Sequence, residues 1–186
     1  KMDLDIQVSK LKLMKANHTS QKYRLEDNIT QHYPHQIAIF KERIEGFTAD
    51  MEKYAKNKPE DKEQFFMQVG GKPYTDKKEA GTAIIAMCKE IKGINASADV
   101  GEYLGFKLNV TFDSFNNKFV MNVKGAMSHP MEVGTDPLGN ITRINNALEA
   151  MPIQLEEAQT KLSNVEHQLE TAKAEVDLSL IHISEP

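Results

Sequence analysis

ITRINNALEAMPIQLEEAQTKLSNVEHQLETAKAEV, residues 141–176, decides how this chain is read. Its apolar residues are Ile141, Ile144, Leu148, Met151, Leu155, Ala158, Leu162, Val165, Leu169, Ala172 and Val176, and they alternate three and four apart over five heptads. An α-helix turns once per 3.6 residues, so this spacing draws one narrow apolar seam that a second helix must cover. Pro152 falls inside the pattern, where it removes a hydrogen bond to Leu148 and bends the axis. The register runs straight through it, so one kinked helix is expected, with Asn140 as its cap.

The partner is sought upstream. Residues 3–33 carry a helical pattern in which Leu4, Val8 and Leu11 begin a seam and Leu25 and Ile29 resume it. Lys15, His18 and Lys22 fill the seam positions between, so this part is not a dry coiled coil throughout. Pro34 marks a kink, because proline lacks an N–H and disfavours helical backbone at Tyr33. Beyond it Ile37, Phe40, Ile44, Phe47, Met51 and Tyr54 restore the three-four spacing. Ile37 to Met51 are expected to pack on the C-terminal seam between Leu155 and Val176. Asn57, Lys58 and Pro59 end this helix, and a charged linker follows.

Between the two helical regions the periodicity changes. Phe65 to Val69 reads as a short strand, Gly70-Gly71 as a turn and Lys72 to Tyr74 as a return strand. Asp76 and Glu79 form a capping-box-like pair for a helix with Ala80, Ile84, Met87, Cys88 and Ile91 on one face, stopping at Gly93. A polar loop leads to Gly101 and Gly105. Phe106, Leu108, Val110 and Phe112 alternate with polar residues as in a half-buried strand. Asn116-Asn117 turns into a strand with Phe119, Met121 and Val123, and residues 127–133 add another.

The expected fold is α+β: a long antiparallel, coiled-coil-like helical arm with a small module of antiparallel sheet plus helix inserted. The boundaries read as 1–60 for the N-terminal arm, 61–136 for the module and 137–177 for the C-terminal heptad helix. Pairing of the seams within one chain is preferred over pairing between chains. Residues 178–186, LSLIHISEP, resemble a translated sequencing adapter and are left out of the fold argument. The chain opens at Lys1 within a helical pattern, so a start in mid-protein is expected.

The net charge of -4 conceals an asymmetry. Residues 6–25 contain Lys10, Lys12, Lys15, Lys22 and Arg24 and no carboxylate, a composition suited to phosphate or to an acidic partner. Contact would run to DNA phosphates, and the five do not share one helical face. A solvated basic face is the plainer alternative. No apolar run approaches the roughly 18 residues of a membrane span, so no membrane partner is expected. The single cysteine, Cys88, excludes an internal disulfide and fits a reducing cytoplasm. Five Asn-x-Ser/Thr triplets begin at Asn17, Asn28, Asn95, Asn109 and Asn140 and are read as chance occurrences.

Catalytic signatures are scarce. GGKPYT at residues 70–75 lacks the full phosphate-loop spacing and reads as a hairpin turn. Cys88 belongs to an apolar helix face and reads as core. His18, His32, His35, His129 and His167 share no metal-ligand spacing, and Glu156-Glu157 and Glu79 read as helix charges. No catalytic residue and no metal site is expected.

Four stretches carry a family resemblance: MDLDIQVSKLKLMKANHTSQKYRLED at residues 2–27, YTDKKEAG at 74–81, GEYLGF at 101–106 and GNITRINNAL at 139–148. Together, in this order, they resemble the region after the helicase domain in very large proteins of bacterial mobile elements and phages. Those proteins join a DEAD/DEAH-type helicase to an adenine-specific DNA methyltransferase. The resemblance implies a non-catalytic C-terminal accessory region that positions the motor on DNA or docks the parent's helicase and methyltransferase domains, in a bacterial or phage-infected cytoplasm. ATP, magnesium and S-adenosylmethionine would belong to the parent's other domains, so no cofactor is expected in residues 1–177. The alternative is a purely structural interaction module, self-associating through its heptads, without nucleic-acid contact.

Overall fold

A computed structural model describes residues 2–91 and 96–184. The expected helix stop at Gly93 and the triplet at Asn95 lie outside the described residues. The chain is α+β, with a six-stranded antiparallel sheet and long helices. It divides into two compact units, Lys1–Glu42 with Ala158–Pro186, and Arg43–Glu157.

In the first unit, α1 spans Met2–Asp27 and α2, Tyr33–Asn57, begins. Asn28–His32 between them is a π-helical turn. Pro34 explains it: with no N–H at Pro34 and a ring crowding the carbonyl four residues back, the preceding turn widens rather than breaking. The expected kink is therefore a local widening. The C-terminal helix α5, Met151–Ser184, supplies the rest of this unit. There Ala158, Val165 and Ala172, seven residues apart, are buried, while Leu162, Leu169 and Val176 are half-buried.

The second unit is built on the sheet. Its strands are β1 (Met67–Val69), β2 (Lys72–Tyr74), β3 (Ser97–Tyr103), β4 (Phe106–Asp113), β5 (Lys118–Lys124) and β6 (Ser128–Val133), in the spatial order β2-β1-β3-β4-β5-β6. The register sets Leu108 opposite Val123, Val110 opposite Met121, and Met121 opposite Met131. Because strand side chains alternate, these residues share one apolar face. The opposite face carries Lys107, Asn109 and Thr111 with Lys124, Asn122 and Val120. Pro130 stands on the edge strand β6, where a missing N–H costs no ladder bond.

Helix α3 (Lys77–Glu90) buries Ala80, Ile84 and Cys88 in the core with the apolar face of the sheet, as the alternating strand and helical stripe predict. Asp76 caps it, its carboxylate accepting the Glu79 N–H at 3.0 Å. Helix α4 (Pro137–Glu149) adds Ile141, Ile144 and Leu148 to the same core. Gly81 marks the close approach of α3 to α4, since a Cβ there would collide with the carbonyl of Pro137.

Four expectations are revised. The segment read as a polar loop before Gly101 contains β3; its outward residues are polar because that sheet face is uncovered, and a bulge between Asp99 and Gly101 disturbs its alternation. The kinked single helix is two helices meeting at Ala150, with Pro152 in the first turn of α5, where its missing N–H is harmless. Asp136, not Asn140, caps α4; Asn140 is buried and bridges both polar groups of the Gly134 backbone, from N–H at 2.7 Å and to C=O at 3.0 Å. Met51 packs against the sheet core, and the Phe47 ring lies 6.0 Å from that of His129 on β6, so these two serve the second unit rather than the C-terminal seam.

Candidate functional site

The five basic residues singled out by the charge pattern all lie on α1. Lys10, Lys12, Lys15 and Arg24 are exposed and Lys22 is half-buried. Helical geometry separates them. Lys15 and Lys22, seven residues apart, return to nearly the same face, and Lys12 stands beside them. Lys10 and Arg24 project from the far side, about 21 Å apart along the axis. None of the five forms an ion pair among the described residues.

Lys22 has a further neighbourhood. With His18, Gln21 and Leu25 it lines a small cavity of about 120 Å³ that also touches Val176 of α5. Two of the three seam positions left polar in α1, His18 and Lys22, thus line this cavity. Toward the N-terminus Leu4, Leu11, Leu13 and Met14 remain 63–69 % exposed.

A second feature lies wholly in the sheet unit. A cleft of about 740 Å³ opens between the end of α2, the approach to β1 and the β3–β4 turn. Phe65, Phe66 and Leu104 give it apolar walls, and Glu63 and Glu102 line it with carboxylates. Two structural bonds shape it: the Asn57 amide donates to the Leu104 carbonyl at 3.1 Å and the Lys53 ammonium to that of Gly105 at 3.2 Å. Its charged lining residues are thus Glu63 and Glu102, with the Lys53 ammonium held beside Gly105 at its edge.

The third is a buried polar cluster that the sequence did not signal. Asp50, in the middle of α2, accepts the N–H groups of Ala126 at 2.7 Å and Met127 at 2.9 Å. Its carboxylate also lies 2.7 Å from His129 Nε2, and the two side chains are 1 % and 2 % exposed. Phe47 and Phe106 flank the imidazole. Gly125 has no Cβ because one would strike the Asp50 carboxylate. Closed off on every side, the pair meets no solvent-borne substrate; it clamps α2 to the β5–β6 turn. His129 alternates with Met131 and Val133, and that period of two was its one legible sign of burial.

Cys88 is buried, and burial pushes its thiol up to about 11. Among the described residues no group of three or more His, Cys, Asp or Glu is placed to hold a metal ion. No helix among them is long and apolar enough to cross a membrane. Comparisons with protein-family models, with curated proteins and with solved structures return no match.

Proposed function

We propose that this chain is a non-catalytic accessory region of a helicase–DNA methyltransferase of a mobile element, whose α1 helix positions the motor on DNA. The observation that carries the reading is the set of cations on α1: exposed apart from half-buried Lys22, without an ion pair among the described residues, and unaccompanied by any carboxylate from residue 6 to residue 25. Such charges cost little to bring to phosphate, because no ion pair has to break first. Their division between two faces fits sequence-independent contact by a subset, Lys12 and Lys15 on one side or Lys10 and Arg24 on the other. In this reading α1, α2 and α5 form an antiparallel coiled-coil-like arm, and the sheet unit docks the parent's other domains. ATP, magnesium and S-adenosylmethionine stay with those domains.

A fluorescent duplex titrated with the protein across a salt series tests the reading. Two or three phosphate contacts predict a log–log slope of about -2 to -3. Changing Lys10, Lys12, Lys15, Lys22 and Arg24 together to Gln is expected to abolish binding at low salt. Equal binding by this variant and the parent, or none by either, would remove DNA from the function.

A second reading, an interaction module that never touches nucleic acid, is favoured by one observation. Leu4, Leu11, Leu13 and Met14 expose apolar surface among the same lysines, more than phosphate contact requires.

A further inference from the structure

The seam face of α1 has different neighbours at its two ends. From His18 to Leu25 it shares a cavity with Val176 of α5, and Lys22 and Leu25 are half-buried. From Leu4 to Leu11 it is open: Leu4, Val8 and Leu11 are 69 %, 44 % and 65 % exposed. The four-then-three spacing of these residues makes them successive core positions of a heptad seam. Three large apolar side chains in such a row call for a second helix.

Their flanking charges select which helix. In an antiparallel pair the core residues of one helix interleave with those of the other, and the same flanking edge of each faces its counterpart. Position 5 and position 12 are both on that edge, one heptad apart. Setting Val8 of one copy against Leu11 of another therefore brings Asp5 of each against Lys12 of the other. Two-fold symmetry makes every contact twice. A parallel pair would set Lys12 against Gln7 and form no ion pair. We propose that α1 docks antiparallel on α1 of a second copy of this chain, through Val8 and Leu11, with Leu4 against the aliphatic stem of Lys15 and reciprocal Asp5–Lys12 pairs fixing the register.

The contact is short, so the association is weak and reversible, half-complete near ~100 μM. Sedimentation equilibrium of the whole chain without DNA reads it independently of the accessory-region proposal. The expected average mass rises from the 21.0 kDa of one chain toward twice that with concentration. Leu11→Asp should shift the midpoint at least tenfold higher, and its exposed site leaves the sheet unit folded by circular dichroism. Asp5→Lys alone should weaken dimerisation several-fold, since like charges then face each other. The double swap Asp5→Lys with Lys12→Asp should restore it. A chain monomeric at every concentration overturns the proposal, as does a dimer indifferent to Leu11→Asp. A double swap no better than Asp5→Lys alone overturns the antiparallel register.

Discussion

The two halves of one heptad stretch fare differently. Ile141, Ile144, Leu148 and Met151 are at most 1 % exposed, whereas Ala158, Val165 and Ala172 retain 5–7 % and Leu155, Leu162, Leu169 and Val176 are only half-buried. Their sequence spacing is the same. What differs is the covering surface. A sheet with a helix beside it wraps a wide arc of α4, while α5 past Ala158 belongs to a unit of helices alone, in which one seam position in two is fully closed. Small residues occupy two of the three closed positions, as close approach between helix backbones favours. A three-four pattern therefore reports that a face is apolar, and says nothing about how completely that face is covered.

The largest expected break in the comparison is at Asp50. Asp50→Ala would strand the N–H groups of Ala126 and Met127 and leave His129 buried without its partner. Removing one side of a buried hydrogen-bonded network that satisfies several groups costs about 3–5 kcal/mol. Urea denaturation should show the sheet unit losing that amount, and a loss below about 1 kcal/mol would mean the cluster is not a clamp. Asp50→Asn keeps acceptor capacity for one of the backbone donors and should fall between.

A paired substitution sharpens the contrast within the heptads. Leu148→Ala empties a fully enclosed site and should cost about 3 kcal/mol. Leu162→Ala removes the same atoms from a half-buried site and should cost about 1 kcal/mol. Equal losses would show that the two halves are covered alike. Hydrogen exchange offers a second view, with the amides of α4 expected to outlast those of α5 beyond Ala158.

How much of this was legible depends on the scale of the signal. Period-two alternation located β4 and β5, and Asp76 with Glu79 located the start of α3, because each is a local pattern with a local cause. Strand β3 was missed because one of its faces is polar and a bulge shifts its phase. The division of α2 was missed because Phe40 and Phe47 obey one periodicity yet fall in different units. Asp50 was illegible for a related reason: its partners stand more than 70 residues away, and a carboxylate on a helix reads as surface until the donors that satisfy it are known. The charge asymmetry of α1 was legible as composition, but not that Lys22 borders a cavity with Val176.

The smallest expected effect at neutral pH concerns Tyr103, which links the sheet to α4. Its hydroxyl donates to Asn145 Oδ1 at 2.7 Å, and Tyr103→Phe should cost about 1 kcal/mol by losing that bond. Alkaline pH erodes this difference and then reverses it. Burial, with Tyr54 and Glu149 nearby, pushes the Tyr103 phenol up to about 12 from an ordinary value of 10.0. The folded chain therefore holds this proton more tightly than the unfolded chain does. Its contribution is intact below pH 10 and fades as pH rises toward about 12, because the unfolded state then releases the proton first. Two units correspond to about 2–3 kcal/mol. Cys88, pushed up to about 11 by burial alone, acts in the same direction from a lower starting value. Denaturation midpoints between pH 9 and 11.5 should thus fall for the parent chain and fall less steeply for Tyr103→Phe. Parallel pH profiles for the two proteins would show that the phenol ionises as readily folded as unfolded, and that the Tyr103–Asn145 link is open to water.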